Sequence, residues 1–286
     1  MTEKGRVIAN FRAAVAVQLD SGELVRAMPL TKLPMLVAGD VVDYDDQRIT
    51  RLHERATVLQ RGDARGKPRP LAANLTHLAI VSAHPPGIDT LLIDQFCVAA
   101  ENTGISPIII LNKIDLYEQT QRRKLDLMLK AYSQMGYHAI AVSRDSAEGM
   151  QALLDLLQDK SVAFVGASGV GKSSLIKFLL PDRDVREGEI SAATGFGSHT
   201  TSVTYWYEMG GGSIIDSPGV RQFTFAELNS VDVRNGYIDI ARAGQDCKFA
   251  NCSHRHEPSC AVKRFVDDNT IAQWRYENYI KLTDEP

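Results

Sequence analysis

Nine consecutive residues, Gly166, Ala167, Ser168, Gly169, Val170, Gly171, Lys172, Ser173 and Ser174, constrain this chain more than any other stretch. The apolar run Ser161–Val165 precedes them, and Leu175–Leu180, with apolar residues at helical spacing, comes after. Strand, glycine-rich loop, Lys-Ser and helix is the setting in which G-x-x-x-x-G-K-[ST] reads as a phosphate-binding loop. The glycines let successive backbone N–H groups turn inward, which makes a concave anion site at a helix N-terminus. Lys172 would reach the β- and γ-phosphates, and the Ser173 hydroxyl would bind Mg²⁺. A tight turn of small residues is the plain alternative, and the flanking strand and helix count against it.

The base is specified elsewhere. Asn112-Lys113-Ile114-Asp115 follows Ser106–Leu111, an apolar strand ending in polar residues. An Asp carboxylate accepts two N–H bonds from the guanine edge, which adenine does not offer. Asn112 can bond the carbonyl face of the purine, and the Lys113 stem can lie along the ring. Polar groups built to pair with guanine are left unpaired by adenine, so the discrimination is large. Ser143, at the end of the apolar segment 138–142, is placed to offer its backbone N–H to the guanine carbonyl.

A third motif, Asp216-Ser-Pro-Gly219, follows Gly212–Ile215. Read alone it is a strand and a Pro-Gly turn. With the other two motifs, Asp216 becomes a carboxylate behind Mg²⁺ and the Gly219 N–H a contact for the γ-phosphate. Ras-like GTPases run phosphate loop, switch threonine, D-x-x-G, then N-K-x-D. Here N-K-I-D comes first and the phosphate loop follows about fifty residues later. That order is the signature of circular permutation, which moves the chain ends and preserves the packed sheet.

The 286 residues suggest two or three domains, and 44% hydrophobic with 23% charged residues is ordinary for a globular protein. No secretory signal is evident and no apolar run reaches the ~18 residues needed to span a bilayer, so a cytoplasmic location is expected. The net charge of −3 is uneven: residues 1–70 hold 12 Lys and Arg against 9 Asp and Glu, and residues 48–69 hold 7 against 2. Basic surface is usually just solvated, so this points only modestly toward RNA. Short β-rich segments around residues 5–9, 13–19, 41–44 and 47–52 predict a small barrel over 1–62, with an OB-fold the natural candidate. Residues 61–70 lack large apolar side chains and read as an exposed loop, with a linker over 63–71. From residue 72 the pattern alternates strand and helix, predicting a mainly parallel α/β sheet to about 228. Helices are expected over 93–101 and 119–135, with Cys97 as core packing. Residues 182–201 read as mobile, irregular chain where a first switch is needed. Thr200 or Thr201 would supply the second Mg²⁺ hydroxyl there, with Thr200 taken as the ligand. Val220 stands directly after D-S-P-G, where Ras-like enzymes use Gln to orient the attacking water. His199 is the candidate replacement, because an imidazole both accepts and donates; a group supplied by a partner is the alternative.

Three of the four cysteines fall in fourteen residues: Cys247, Cys252 and Cys260, with His254 and His256 between them. Three thiolates and one imidazole make a tetrahedral structural Zn²⁺ site; unpaired surface thiols are the alternative. Chemistry alone does not choose between the two histidines. The tail from residue 261 reads as an amphipathic helical segment, completing a module over 229–286.

Together these motifs resemble the RsgA (YjeQ/YloQ) family of circularly permuted GTPases over nearly the whole chain. The resemblance implies an OB-like N-terminal β-barrel, a permuted P-loop GTPase domain and a C-terminal zinc-binding helical module. It selects His254 as the fourth zinc ligand. It implies GTP and GDP as ligands with Mg²⁺ and one Zn²⁺ per chain. It further implies binding to the 30S subunit and its 16S rRNA as a monomer, GTP hydrolysis stimulated by that subunit in its late maturation, and other assembly factors as partners. The chain departs from the family in Ser198, where a basic residue often precedes H-T-T, in Ser202 for the third Thr, and in a short N-terminus without a basic arm. A guanine-stabilised, non-enzymatic RNA adaptor is the rival reading, and an ATP-using P-loop kinase is disfavoured by N-K-I-D.

Overall fold

The computed structural model describes residues 2–11, 14–62, 67–195, 203–216 and 229–284. The N-terminal part is a five-stranded barrel. Strands β1 (Glu3–Asn10), β2 (Val15–Leu19), β3 (Leu24–Pro29), β4 (Val41–Asp45) and β5 (Arg48–Leu52) run in the order β1-β2-β3-β5-β4. Antiparallel pairing of β1 with β4, Arg6 opposite Val41, closes the ring. Val7, Val15, Val17, Ala27, Val42 and Ile49 fill its interior. Strand β3 escapes the sequence pattern because only Ala27 of its six residues is buried, so there is no alternation of large apolar side chains.

Antiparallel pairing of Ala9 in β1 with Tyr205 joins the barrel to the second domain, and two short segments reinforce it. Asp40, fully buried, accepts from Arg55 Nε at 2.7 Å and from Arg55 Nη2 at 2.8 Å. Asn74 Nδ2 donates to the Gly39 carbonyl at 2.9 Å, and the Ala73 amide donates to the Ala38 carbonyl at 3.0 Å. The stretch 61–70, expected as an exposed loop, is instead largely hairpin. Strand β6 (Val58–Gly62) pairs antiparallel with β7 (Pro68–Ala73), so residues 68–71 of the expected linker belong to a strand. Residues 63–66 lie outside the described residues. The polar, Pro- and Gly-rich sequence hid the hairpin because its anchors, Leu59 and Ala72, stand opposite one another at its open end, outside that stretch, and are buried against the second domain.

That domain is a sheet in the order β10-β9-β8-β11-β13-β12. Strands β8 (His77–Ala83), β9 (Ser106–Asn112), β10 (His138–Ala141), β11 (Ser161–Val165) and β13 (Gly212–Asp216) are parallel, and β12 (Tyr205–Met209) is antiparallel to β13. The central strands are apolar on both faces, as burial by helices on each side requires: Ile108, Ile109, Ile110 and Leu111 are all buried. Helices α1 (Thr90–Asn102), α2 (Gln119–Met135), α3 (Met150–Leu157), α4 (Lys172–Leu179) and α5 (Arg183–Thr194) connect them. Asp89 caps α1, accepting from the Leu92 amide, and Gly136 ends α2. Cys97 is fully buried in the core on α1.

Helix α5 corrects the expectation of irregular chain from residue 182. Its composition is charged, but Ile190 and Thr194 are buried, Arg183 pairs with Glu187 one turn on, and Gly195 closes the end. Tertiary contacts override weak local propensity here.

The C-terminal part is helical: α6 (Ser230–Gly236), α7 (Ile238–Gly244), α8 (Ala261–Asp267) and α9 (Gln273–Asp284). The tail is thus two helices, separated where Asn269 takes a left-handed φ of 62°. Val98 of α1 shares one apolar cluster with Val233, Tyr237, Val262 and Tyr279. A buried charge network joins the same elements. Arg275, with no exposure, donates to Asp94 at 2.6 Å and to Asp239 at 3.0 Å, and stacks over the Tyr237 ring at 4.0 Å. Asp94 also accepts from Asn278 at 2.8 Å and from the Tyr132 hydroxyl at 2.9 Å. No described helix is long and apolar enough to cross a membrane.

Candidate functional site

Three motifs meet at the C-terminal ends of neighbouring parallel strands, where open α/β sheets place their ligands. Strand β11 leads into the glycine-rich loop and α4; β9 ends on Asn112; β13 ends on Asp216. The loop is held close. A Cβ on Gly166, whose φ is +135°, would stand 2.1 Å from the Val81 carbonyl oxygen, and one on Gly171, φ +96°, would stand 2.3 Å from Asn112 Nδ2. Only glycine fits either position. Gly171 is also the residue before α4, so the amides of the helix start face the concavity.

The phosphate-loop and N-K-I-D motifs are bonded to one another. Asn112 Nδ2 donates to the Val170 carbonyl at 2.9 Å, and Lys113 Nζ donates to the Gly169 carbonyl at 2.7 Å. Lys113 reaches this position from a left-handed backbone, φ 60°, and also donates to the Pro85 carbonyl at 3.1 Å. Asn112 Oδ1 is buried and accepts no hydrogen bond from the described residues, while its Nδ2, the group able to bond a purine carbonyl, already donates to Val170. Asp115 lies in a short 3₁₀ turn, Ile114–Leu116, exposed to solvent. Ser143 Oγ donates to Asp115 Oδ1. The expectation for Ser143 needs correction: its backbone N–H donates to the Glu148 carbonyl at 2.8 Å, so its hydroxyl, through Asp115, is what it brings to the site.

Around the loop, Ala167 and Ser174 are half-buried, Val170 is buried, and Ser168, Gly169 and Ser173 are exposed. Lys172 is buried, and its ammonium donates to the Gly166 and Ala167 carbonyls at 2.7 and 2.6 Å. The charge thus sits inside the curl of its own loop. Asp216, 4% exposed, forms an ion pair with Arg183 Nη1 at 2.7 Å. Burial works against the Arg183 charge, but Glu187 and Asp216 outweigh it and raise its pKa. Nothing in the local sequence marks Arg183, because its partner is 33 positions away in a different motif. His199, Thr200, Thr201, Gly219 and Val220 lie outside the described residues. The glycine cradle and the exposed Asp115 carboxylate fit a guanine nucleotide.

A second centre lies between α7 and α8. The ligand atoms of Cys247, Cys252, His254 and Cys260 all fall within 4.8 Å of one another. His254 Nδ1 stands 3.6 Å from Cys247 Sγ and 3.5 Å from Cys260 Sγ, and those two sulfurs are 4.0 Å apart. With Zn–S bonds of about 2.3 Å, a tetrahedral site has edges close to these separations. Of the two candidate histidines, His254 is buried in the cluster and His256 is exposed. Burial raises the Cys247 thiol, but backbone N–H groups of Ala261 and Val262 together with hydrogen bonds from Cys252 and Cys260 outweigh it and hold its pKa below the usual value. Burial pushes Cys252 up to about 12, with Cys247 and Cys260 adding to the shift. Tyr276 Oη on α9 donates to the His254 carbonyl at 2.7 Å, tying the loop to the last helix. Three thiols and an imidazole so arranged fit zinc.

Comparison with known proteins agrees with this geometry. The family model for RsgA GTPases matches residues 52–226. Proteins called small ribosomal subunit biogenesis GTPase RsgA are similar over almost the full chain. The one from Photorhabdus laumondii is 36% identical, covering 99% of this chain and 84% of its own. That of Pseudomonas fluorescens is 38% identical, covering 97% and 84%. Among solved structures, YjeQ from Thermotoga maritima superposes with a TM-score of 0.80 at 25% identity, covering 99% of this chain and 98% of its own. YloQ, described as a circularly permuted GTPase, gives 0.78 at 24% identity, covering 99% and 94%, and shows the shared fold.

Proposed function

The chain belongs to the RsgA GTPase family, and from that membership we propose that it couples GTP hydrolysis to a late step of small ribosomal subunit maturation. It is a GTP hydrolase of circularly permuted fold. The observation that carries the reading is the direct bonding of N-K-I-D to the phosphate loop, through Asn112 to Val170 and Lys113 to Gly169. One rigid unit then reads base and phosphates together.

In this reading Asn112, Lys113 and Asp115 hold guanine, with Ser143 orienting the Asp115 carboxylate. The loop amides from Gly166 to Ser174 hold the phosphates, with Gly219 at the γ-phosphate. Lys172 exchanges its loop carbonyls for phosphate oxygens. Ser173 and Thr200 or Thr201 hold Mg²⁺ with Asp216 behind them, and Mg²⁺ when bound neutralises developing phosphate charge. His199 positions the attacking water. Catalysis is positioning and charge stabilisation, with little covalent chemistry from the protein. Cys247, Cys252, His254 and Cys260 hold one structural zinc.

The partner is the 30S subunit with its 16S rRNA, met by the basic N-terminal region of a cytoplasmic monomer. We read the functional units as the barrel through β5, the β6–β7 hairpin with the GTPase domain to 228, and the zinc-binding helical module from 229. The test is multiple-turnover phosphate release from GTP with and without purified 30S subunits. Strong stimulation is expected. Nucleotide binding with no turnover in either condition would leave an RNA adaptor instead.

A further inference from the structure

Helix α5 lies in sequence between the phosphate-loop helix and the expected switch threonines, and the sheet grips it mainly by polar contacts. Arg183 Nη1 pairs with Asp216 at 2.7 Å and Arg183 Nε with Glu187 at 2.8 Å. Glu187 in turn accepts from the Tyr207 hydroxyl at 2.5 Å, and Arg186 donates to the Glu208 carbonyl at 2.6 Å. Only Ile190 and Thr194 of the twelve residues are buried. Such a helix can be released by changing one charge contact, because little apolar surface opposes its movement.

The Asp216 carboxylate is nearly buried and needs a compensating cation. Arg183 supplies it here. On the proposed reading of the site, the same carboxylate stands behind Mg²⁺ when nucleotide is bound. A guanidinium and a divalent cation repel one another, so one carboxylate cannot serve both equally well.

We propose that Arg183 is a positioning residue that competes with Mg²⁺ for Asp216: it holds the carboxylate in the magnesium-free protein, yields it when Mg²⁺ and nucleotide load, and frees α5 as it goes. Glu187 is the second anchor that receives the released guanidinium. Two ligands of one group with opposed preferences are thermodynamically reciprocal, so weakening Arg183 must strengthen Mg²⁺. Helix α5 thereby joins the nucleotide-responsive part of the molecule. This rests on the guanine-nucleotide and Mg²⁺ reading above.

The test uses the full chain loaded with a fluorescent N-methylanthraniloyl GDP, with retention followed as Mg²⁺ is titrated against EDTA. Arg183→Gln is expected to lower the Mg²⁺ concentration for half-retention by about fivefold or more. Arg183→Lys, which keeps charge but loses the fork, should fall between Gln and wild type. Glu187→Gln keeps an acceptor for Tyr207 but leaves Arg183 to Asp216 alone, so it should raise the midpoint. General loss of packing would not move these two variants in opposite directions. In wild type, amide hydrogen exchange over 183–194 should be faster with Mg²⁺ and GDP than with EDTA, and Arg183→Gln should remove that difference. A midpoint unchanged in Arg183→Gln, or shifted the same way by Arg183→Gln and Glu187→Gln, overturns the competition while leaving the nucleotide reading intact. A wild-type chain that retains no fluorescent GDP at any Mg²⁺ concentration overturns both.

Discussion

Asp115 stands exposed in its short 3₁₀ turn, with Ser143 Oγ donating to one carboxylate oxygen. Replacing it with Asn turns part of an acceptor pair into a donor. We expect Asp115→Asn to weaken GTP binding by at least about a hundredfold and to shift preference toward xanthine nucleotide; equilibrium binding of GTP and XTP measures both, and unchanged GTP affinity would remove this loop from base recognition. His199→Ala should keep GTP affinity within a few-fold yet lose most 30S-stimulated phosphate release. Unstimulated turnover, without a Gln after D-S-P-G, should lie around 10⁻⁴ to 10⁻² s⁻¹. Wild-type stimulated turnover in that variant would assign the group to the ribosome. At this scale the sequence is a good guide where chemistry is contiguous. Lys172 and Asp115 are legible because four to nine neighbouring residues define their setting. Arg183 and the engaged amide of Ser143 are not: the first depends on a partner 33 positions away, the second on the path of the loop to Glu148.

The elements divide in the same way. Helix α2 is legible end to end, because amphipathic spacing runs through it and a Gly stop follows it directly. The β6–β7 hairpin and helix α5 are not, because their decisive contacts, Leu59 and Ala72 with the sheet and Arg183 with Asp216, are distant in sequence. The cysteine loop shows a centre before it shows geometry, and the fold then selects His254 over His256. We expect about one zinc per chain by metal analysis, and Cys252→Ala should lose zinc and expose residues 247–260 to protease. A metal-free chain with that loop still protected would refute the assignment. Helix α9 is the stronger case for stability. Arg275→Met strands Asp94 in the interior and should cost about 3–5 kcal/mol, read from denaturant midpoints. Pairing it with Asp94→Asn should recover part of that loss, because no uncompensated charge is left.

Across the whole molecule, the barrel meets the GTPase domain through the antiparallel β1–β12 pairing, Asn74–Gly39 and the β6–β7 hairpin. A chain beginning at Ala56 keeps the hairpin and its buried Leu59 but loses Ile8, Ala9 and Ala16 from the core beside the phosphate-loop helix; provided that it folds, it should still bind GTP. It should lose most 30S stimulation and bind subunits more weakly and with a shallower salt dependence, measured by sedimentation across a salt series. Full stimulation would place the docking surface elsewhere. The Asp94–Arg275 pair has one more consequence, for the order in which the chain is made. The two residues are 181 positions apart. At about 5–20 residues per second, the ribosome releases the carboxylate roughly 10–40 s before its guanidinium. Until then α1 cannot bury Asp94 against a cation, and burial alone raises its pKa. Stalled nascent chains ending before Arg275 should therefore be cleaved readily in α1, and chains that have cleared the exit tunnel through α9 should resist.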